Sequence, residues 1–520
     1  MVDAFRPKSA PQIPQTNLTC PEVVGSPGPT PMFEVAELNQ SLSSKSYEAK
    51  LPALRAKLLQ AHFDLRSQKF PVIVIISGAD GAGKGDLVHR LNEWLDPRGV
   101  ETQAFWDSSD EEREKPPYWR FWRALPGRGR IGIFFGSWYT SPIIRRVLKK
   151  SKGQEFDTEL DRIVKIERML REDGAELVKL WLHMPKTAQK ARLKALESEG
   201  RIAPDDWKHF KLYDRFTKVS ERALRHTDTE VSPWHIIEAT DRRFREVAAG
   251  QILLEALQAR LKPEPKAAVA PPAAPAPKSS GRRKPSILGR VNLSHKLSEA
   301  EYARQLRKYQ ARLSKLTWAA WEKKVPSVLV FEGWDAAGKG SAIRRVTQAM
   351  DPRLYRVIGI AAPTDEERAH HYLWRFWRHL PRAGMTTIFD RSWYGRVLVE
   401  RVEGFARPDE WGRAFHEING FEEELTEHGI VLSKFWLHLS PQEQLRRFKE
   451  RQTVLYKQYK ITEEDWRNRK KWNDYKVAVD EMVAQSSTEY APWTLVAAED
   501  KRFARIQILK ILVERLSAAL

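Results

Sequence analysis

The chain has 520 residues, more than one hydrophobic core usually organises, so at least two domains are expected. Its 88 Lys and Arg residues outnumber its 68 Asp and Glu residues and give a formal net charge of +20. This charge favours a polyanionic partner (nucleic acid, an anionic membrane or polymeric phosphate) over general solubility alone. The single cysteine, Cys20, excludes a disulfide framework and a cysteine-rich metal site. No apolar run is long enough for a transmembrane helix or a secretory signal, so we predict a cytoplasmic protein without membrane association.

An internal repeat organises the chain, with the second copy 255 residues after the first. Beyond His183 and His438 the offset becomes 259, so the second copy contains four extra residues. We therefore predict two homologous domains. Prominent matches pair Gly78-Ala-Asp-Gly-Ala-Gly-Lys-Gly85 with Gly333-Trp-Asp-Ala-Ala-Gly-Lys-Gly340, Trp119-Arg-Phe-Trp-Arg123 with Trp374-Arg-Phe-Trp-Arg378, and Ser137-Trp-Tyr139 with Ser392-Trp-Tyr394.

Composition marks the boundaries of the two copies. Pro, Ala and Lys dominate residues 262–291, which are predicted to form a semi-extended linker. Residues 1–45 have a similar character and are predicted to be a disordered tail. The two predicted domains then occupy residues 46–261 and 292–520.

Each copy begins with a long amphipathic helix, whose start in the second copy has the capping-box signature of Ser298 and Glu301. Short apolar runs then alternate with helical stretches. Buried runs separated by helices are typical of a parallel sheet covered on both faces, so we predict two tandem doubly wound α/β domains. The apolar runs of the second copy are residues 327–331, 356–361, 386–389, 430–439 and 493–497.

A phosphate-binding loop follows the first of these runs. Residues 333–339 fit the pattern G-x-x-x-x-G-K and precede a predicted helix over residues 341–350. Glycines let backbone N–H groups turn towards phosphate oxygens, the helix N-terminus adds partial positive charge, and Lys339 reaches the transferring phosphoryl group. The alternative is a glycine-rich turn without a ligand, which the strand–loop–helix context disfavours. The predicted phosphate-binding residues of the loop are Gly333, Ala336, Ala337, Gly338, Lys339, Gly340 and Ser341.

A departure from the usual loop predicts the metal site. The residue after the lysine is usually Ser or Thr, whose hydroxyl binds Mg²⁺, but here it is Gly340. Asp335 inside the loop is the available oxygen ligand, and the alternative for it is a turn-forming aspartate. Asp390 follows the run at 386–389, at the sheet edge where α/β proteins bind ligands, and Arg391 beside it can neutralise phosphate.

The first copy keeps the loop and loses the second carboxylate. Phe135 and Gly136 occupy the positions of Asp390 and Arg391. Because an aromatic ring offers Mg²⁺ no oxygen, we predict that catalysis resides in the second copy only. The first copy is then predicted to stand in for the second subunit of a dimer, as an internal pseudo-dimer, and a further homo-oligomer is left open.

The second copy's loop, together with Asp390-Arg-Ser-Trp-Tyr394, resembles the family-2 polyphosphate kinases. The segments Ala491-Pro-Trp493 and Asp500-Lys-Arg-Phe503 are also similar to that family, and the resemblance covers both copies. It implies tandem P-loop kinase-like domains similar to thymidylate kinase, each with a helical lid. Such enzymes move phosphate between inorganic polyphosphate and nucleotides with Mg²⁺ as cofactor. Chains with two fused copies resemble the class that phosphorylates AMP to ADP.

The resemblance also implies roles for individual residues. Asp335 is expected to bind the metal and activate the acceptor phosphate, and Lys339 to hold phosphate in the loop. Asp390 and Arg391 are expected to bind metal and phosphate together. Asp335 and Asp390 are thus the predicted metal ligands.

Basic residues outside the loop suit a polymeric substrate. The resemblance places a lid arginine that closes on phosphate at Arg451, but this lid departs from the family pattern and leaves Arg446 and Arg447 as rivals. Arg375 and Arg378 lie three apart on a predicted helix and share a face, and Arg375 is a predicted phosphate-binding residue. The alternative for these two arginines is a solvated face. The two tryptophans of the same segment are predicted to pack in the core.

Three other functions are retained as alternatives. A polyphosphate-dependent nucleoside diphosphate kinase would have the same features. An ATP-dependent nucleoside monophosphate kinase would share the loop, but Gly340 and the large positive charge fit it less well. A non-catalytic nucleic-acid-binding P-loop protein would explain the charge, but the familiar nucleic-acid motifs are absent. We therefore predict polyphosphate and a nucleoside mono- or diphosphate as partners, and no specific nucleic acid.

Overall fold

The computed structural model describes residues 32–200, 206–262, 286–454 and 463–520. These residues form two domains of the same architecture, each with a five-stranded parallel sheet whose central strands are buried on both faces by helices. The predicted doubly wound α/β fold is confirmed for both copies. The strands are β1 Val72–Gly78, β2 Val100–Ala104, β3 Ile131–Phe135, β4 Glu176–His183, β5 Trp234–Glu238, β6 Ser327–Gly333, β7 Tyr355–Gly359, β8 Thr386–Asp390, β9 Val431–His438 and β10 Trp493–Ala497.

Helices connect these strands in both domains. Within the part of the chain that the structure describes, no helix combines the length and apolar character needed to cross a membrane. The helices of the first domain are α1 Ser44–Leu65, α2 Lys84–Trp94, α3 Asp110–Arg113, α4 Trp119–Arg123, α5 Thr140–Val147, α6 Gly153–Glu172, α7 Lys186–Ser198, α8 Asp206–Phe210, α9 Tyr213–Thr227 and α10 Arg242–Leu261. Those of the second are α11 Glu299–Glu322, α12 Lys339–Thr347, α13 Asp365–Arg368, α14 Trp374–Trp377, α15 Val399–Val402, α16 Pro408–Glu427, α17 Pro441–Thr453, α18 Glu463–Lys470, α19 Trp472–Ser486 and α20 Lys501–Ala519. Short 3₁₀ helices span Met32–Ala36, Pro97–Gly99, Leu288–Arg290, Pro352–Leu354 and Trp393–Arg396.

The strand order places the first strand of each domain at the centre of its sheet. The orders are β2-β3-β1-β4-β5 and β10-β9-β6-β8-β7, with neighbouring strands parallel throughout. In the second domain β6 and β8 are neighbours, and Phe331 is level with Asp390. The loop that leaves β6 and the carboxylate that ends β8 therefore meet at the same edge of the sheet.

Two short segments correct the predicted tail and linker, which were expected to reach residues 45 and 291. Met32–Ala36 is a 3₁₀ helix, and its buried Phe33 stacks on the His183 ring at 4.6 Å. The corresponding segment of the second copy, Leu288–Arg290, likewise buries Leu288. In each domain, one apolar side chain ahead of the first long helix therefore packs into the core and fixes its segment to the domain. Residues 1–31 of the predicted tail and 263–285 of the predicted linker lie outside the described residues.

A buried ion pair occurs at the same place in both domains and explains the shared Ser-Trp-Tyr sequence. In the second domain Lys434 Nζ donates to Glu422 Oε2 at 2.6 Å, and Tyr394 Oη donates to the other oxygen of that carboxylate at 2.7 Å. Lys179 and Glu167 repeat the pair in the first domain at 2.8 Å. Since both charges are fully paired and hydrogen-bonded, this cluster is a structural element of the fold.

The two domains contact each other through equivalent surfaces. Trp122 and Trp377 are counterparts in the repeat, and their rings stack on each other with centroids 5.5 Å apart. Ala369 accepts a hydrogen bond from the Arg128 N–H at 2.8 Å, and its counterpart Glu114 pairs with Arg382 at 2.7 Å. A residue that stacks on its own counterpart lies on a two-fold axis, so the interface is isologous, as in a symmetric dimer. One cluster of buried apolar side chains continues across it.

Glu424, which lies at this interface, should make the stability of the folded protein depend on pH. Its Oε1 accepts a hydrogen bond from the Tyr118 N–H at 3.3 Å, and burial raises the pKa of Glu424 from 4.5 to about 8. Between these values the folded protein holds a proton that the unfolded chain has released, so stability falls as the pH rises through this window.

We therefore expect Glu424→Gln to raise the melting temperature at about pH 8 and to change it little at about pH 5. Thermal unfolding at both pH values measures this, with Glu423→Gln on the same helix as the control. A shift of the same size at both pH values would contradict the assignment of the buried proton to Glu424.

Candidate active site

The phosphate-binding loop is shaped by its glycines. Gly333 has φ +148°, and a Cβ atom there would lie 2.6 Å from the Leu437 carbonyl oxygen of the neighbouring strand. Gly338 caps α12 with φ +109°, a left-handed conformation that glycine adopts without strain. The loop thus turns sharply from β6 into α12 and directs the N-terminus of that helix at the sheet edge. The helix begins at Lys339, two residues before the predicted start at 341.

Lys339 lies across the mouth of the loop. Its Nζ donates to the carbonyl oxygens of Gly333 and Trp334 at 2.8 and 3.4 Å, and the residue is half-buried. Its counterpart Lys84 makes the same two contacts at 2.8 and 2.9 Å. In the first domain the lysine also pairs with the loop carboxylate of Asp80 at 3.3 Å. The two loops therefore share their backbone frame and differ in how their charges are paired.

Asp335 is oriented by two contacts in the second domain. Its Oδ1 lies 3.4 Å from the Arg391 guanidinium, and its Oδ2 accepts a hydrogen bond from Asn468 Nδ2 at 3.0 Å. Asn468 accepts in turn from Tyr475 Oη at 3.3 Å, and Tyr475 also contacts Glu403 at 3.5 Å. This chain of hydrogen bonds connects α18, α19 and the segment after α15 to the loop, so it holds the carboxylate in one orientation.

Asp390 lies beside the position that lacks a loop hydroxyl. A Cβ atom built on Gly340 would be 4.0 Å from Asp390 Oδ2. The carboxylate of Asp390 therefore lies close to the position that the hydroxyl oxygen of a Ser or Thr at 340 would take. Among the described residues no group of three or more His, Cys, Asp or Glu side chains could hold a metal by itself. Two carboxylates fit Mg²⁺ nevertheless, because this ion usually completes its octahedral coordination with water and substrate phosphate oxygens.

Arg391 has an unusual backbone conformation. Its φ is +67°, in the left-handed region that costs a non-glycine residue about 1–3 kcal/mol. Its N–H donates to the Phe331 carbonyl at 3.0 Å. The next residue, Ser392, donates from Oγ to Glu332 Oε1 at 2.8 Å. Burial raises the pKa of Glu332, against the opposing charge of Lys339 and the hydrogen bond from Ser392. A buried carboxylate thus lies directly behind the predicted catalytic residues.

The three candidate lid arginines differ in their surroundings. Arg447 is 2% exposed, and its guanidinium donates to the loop carbonyls of Ala336 and Ala337, both at 3.0 Å. It therefore supports the loop, since its donors are taken up by backbone carbonyls and by the Glu443 carboxylate. Arg446 is largely exposed and pairs with Glu443 at 2.7 Å. Arg451 lies in the last turn of α17, and its predicted role stays untested because residues 455–462, which follow that helix, lie outside the described residues.

Arg375 and Arg378 are paired with acidic residues of α13. Arg375 lies 3.2 Å from Glu367, and Arg378 lies 3.1 Å from Glu366. Arg375 also donates to the Ala361 carbonyl at 3.2 Å. These contacts hold both guanidinium groups on the segment that follows β7, and the phosphate-binding role of Arg375 stays a prediction. The two tryptophans beside them are 5% and 1% exposed, which confirms their predicted core packing.

The site of the first domain has lost several of these groups together. Phe135 and Gly136 replace the Asp-Arg pair, as the sequence indicates, and Ser77 replaces the buried Glu332. Gly136 has φ +80°, so the turn of the first domain carries no strain of the kind found at Arg391.

The loop carboxylate of the first domain is occupied by local partners. Asp80 pairs with Lys84 and accepts a hydrogen bond from His209 Nδ1 at 2.8 Å. Burial alone would raise the pKa of Asp80, but Lys84 and His209 outweigh it and hold the pKa well below its usual value. The loop charges of this domain thus neutralise each other.

The family model described as polyphosphate kinase 2 matches the chain twice, over residues 41–265 and 296–520. The chain belongs to the polyphosphate kinase 2 family.

Relatives of this family resemble the chain over nearly its whole length. A polyphosphate:AMP phosphotransferase of Pseudomonas aeruginosa is 51% identical over 94% of this chain and 99% of its own. A polyphosphate:AMP phosphotransferase of Pseudomonas syringae pv. tomato is 49% identical over 94% of this chain and 99% of its own. A crystal structure assigned to polyphosphate kinase 2 of Pseudomonas aeruginosa has a TM-score of 0.85 at 49% identity, and the match covers 94% of this chain and 99% of that one. The similarity to these proteins therefore spans both copies of the repeat.

Sequence reasoning missed Glu332, Ser392 and Asn468 as parts of this site. A signal for Glu332 was present, because the first copy replaces it with Ser77 just as it replaces the Asp-Arg pair. Asn468 had a weaker signal, its replacement by His209 in the first copy. These differences between the copies indicate polar groups that the second domain alone requires.

Proposed function

We propose that this member of the polyphosphate kinase 2 family transfers the terminal phosphate of inorganic polyphosphate to AMP and forms ADP in its second domain. The observation that carries this proposal is the meeting of Lys339, Asp335, Asp390 and Arg391 at one edge of one sheet. The names of the two Pseudomonas relatives described above, polyphosphate:AMP phosphotransferase, support AMP as the acceptor.

The chemistry requires placed charge more than a reactive side chain. An oxygen of the AMP phosphate attacks the terminal phosphorus of the polymer. The bond between that phosphorus and its bridging oxygen breaks, and the shortened polymer leaves with the oxygen and its electron pair. Lys339 and the loop N–H groups would bind the transferring phosphoryl, and Arg391 would neutralise charge on the incoming phosphate.

We further propose Mg²⁺ as the cofactor, with Asp335 and Asp390 as its protein ligands. When bound, the ion would supply positive charge to the reacting phosphate groups. Asp335 keeps one oxygen near Arg391 and the other on Asn468, so its carboxylate has a defined orientation before substrate binds. The carboxylate of Asp390, which lies beside Gly340, would provide the metal-binding oxygen that a loop Ser or Thr usually provides.

The first domain is proposed to act as the internal partner of the second. Its isologous contact with the second domain supports this role, as does the mutual neutralisation of Asp80 and Lys84. We also propose that the protein acts in the cytoplasm, where nucleoside monophosphates are available. The net charge of +20 would favour the binding of a polyanionic donor.

A matrix of donors and acceptors tests the proposed reaction. With Mg²⁺ present, we expect the purified chain to phosphorylate AMP with polyphosphate much faster than with ATP, and faster than it phosphorylates ADP or GDP with polyphosphate. Coupled detection of ADP and measurement of polymer length report both products. Faster formation of ATP from ADP would assign a diphosphate acceptor, and faster use of ATP as donor would assign an ordinary nucleotide kinase. Duplex DNA binding without turnover would remove the enzymatic proposal.

A further inference from the structure

The turn that carries Asp390 and Arg391 is strained and needs support from its surroundings. Arg391 has φ +67°, which side chains with a Cβ atom rarely adopt. Strained residues of this kind persist only where neighbouring contacts determine their conformation. The first domain shows the unstrained alternative, since Gly136 takes the same turn with φ +80°.

Two contacts from consecutive residues of β6 hold this turn. The Arg391 N–H donates to the Phe331 carbonyl at 3.0 Å. The Ser392 hydroxyl donates to the Glu332 carboxylate at 2.8 Å, with Ser392 2% exposed and Glu332 6% exposed. The first contact is a backbone bond that any sequence could make. The second requires a side chain with an acceptor oxygen at 332, a position that a buried central strand would ordinarily fill with an apolar residue.

The two domains differ at this carboxylate but share other residues of the loop. The first domain keeps the loop lysine, the loop aspartate and the serine, at Ser137. It lacks Asp390, Arg391 and the carboxylate, with Ser77 at the position of Glu332. The buried acid is therefore present where an arginine must adopt the left-handed turn and absent where a glycine adopts it.

We infer that Glu332 is a positioning residue, which acts through Ser392 to hold Asp390 and Arg391 against the phosphate-binding loop. The inference rests on the proposed function for its effect on turnover. It extends that function by giving a role to a buried acid that contacts the active-site turn through Ser392. Burial costs Glu332 its hydration, and the charges of Lys339 and Arg391 nearby offset part of that cost.

Three single variants and one double variant test the inference through the rate of AMP phosphorylation. Ser392→Ala removes the donor, Glu332→Ala removes the acceptor, and Glu332→Gln keeps an acceptor oxygen of the same shape. We expect the two alanine variants each to lower kcat about tenfold or more, with a smaller change in KM for AMP. The double alanine variant should be no worse than the poorer single variant, because both remove the same bond. Glu332→Gln should recover much of the rate.

The control is Ser137→Ala in the first domain, where Ser77 stands at the position of the Glu332 carboxylate, and its rate should match that of the unmodified chain. Multiplicative losses in the double variant, or normal kcat in both alanine variants, would overturn the inference.

A crystal structure of Ser392→Ala gives a test that does not depend on turnover. We expect Arg391 to leave the left-handed region, or residues 390–392 to occupy more than one conformation. An unchanged turn in both Ser392→Ala and Glu332→Ala crystals would overturn the inference even if the rates fall. Absence of AMP phosphorylation by the unmodified chain would instead overturn the proposed function, and the crystal structures would still decide the role of Glu332.

Discussion

Lys339→Ala should lower the rate of AMP phosphorylation by about 10³-fold or more, whereas Lys84→Ala should leave most of it. A positive group on the transferring phosphoryl is worth this much in comparable reactions, because charge develops there in the transition state. Only in the second domain does an Asp-Arg pair, Asp390 and Arg391, lie at the same sheet edge as the loop lysine. In the first domain Lys84 faces the carboxylate of Asp80, and Phe135 offers no metal ligand.

The two substitutions form a matched pair. Each lysine donates to the carbonyl oxygens of the first two residues of its loop, so each substitution removes similar structural contacts. Initial rates of ADP formation from AMP and polyphosphate, measured with equal amounts of folded protein, give the comparison. Similar losses for both variants would mean that the first domain also contains a working site.

Asp390→Asn should lower kcat by on the order of 10²-fold and raise the Mg²⁺ concentration needed for half-maximal rate. The amide keeps the shape of the side chain but removes the charge beside Gly340, where the loop supplies no hydroxyl oxygen. Asp335→Asn should have a loss of the same order, since it removes the second carboxylate and leaves Arg391 without its partner at 3.4 Å. Titration of Mg²⁺ into chelator-treated protein separates weaker metal binding from a slower chemical step.

The corresponding control in the first domain is Asp80→Asn. Asp80 has Lys84 and His209 as partners, so its neutralisation should affect the local packing of α8 without a large change in turnover. A near-normal rate for Asp335→Asn would remove that residue from the mechanism. A near-normal Mg²⁺ dependence for Asp390→Asn would place the metal on other ligands.

The repeat, the order of strands along each domain and the residues of the loop could all be predicted from the sequence. These features are local, because a buried strand is a short apolar run and a phosphate-binding loop is a run of glycines between strand and helix. The strand predicted at 386–389 is observed as Thr386–Asp390, and the strand predicted at 493–497 is observed without change. The helix predicted over 341–350 is observed as Lys339–Thr347, because the left-handed Gly338 starts it earlier. The exchange of Asp390 for Phe135 could be read directly from the aligned copies.

The distant groups that support these residues could be identified only from the folded structure. Glu332 and Ser392 are 60 residues apart, and Asp335 and Asn468 are 133 apart, yet each pair is joined by a hydrogen bond. The stacking of Trp122 on Trp377 likewise depends on the docking of one domain on the other. Such contacts form where strands and helices of separate segments meet, and no local pattern of apolar residues encodes the distance between them. The sequence therefore located the groups that carry charge, while the packing of the sheets and helices determined how those groups are held.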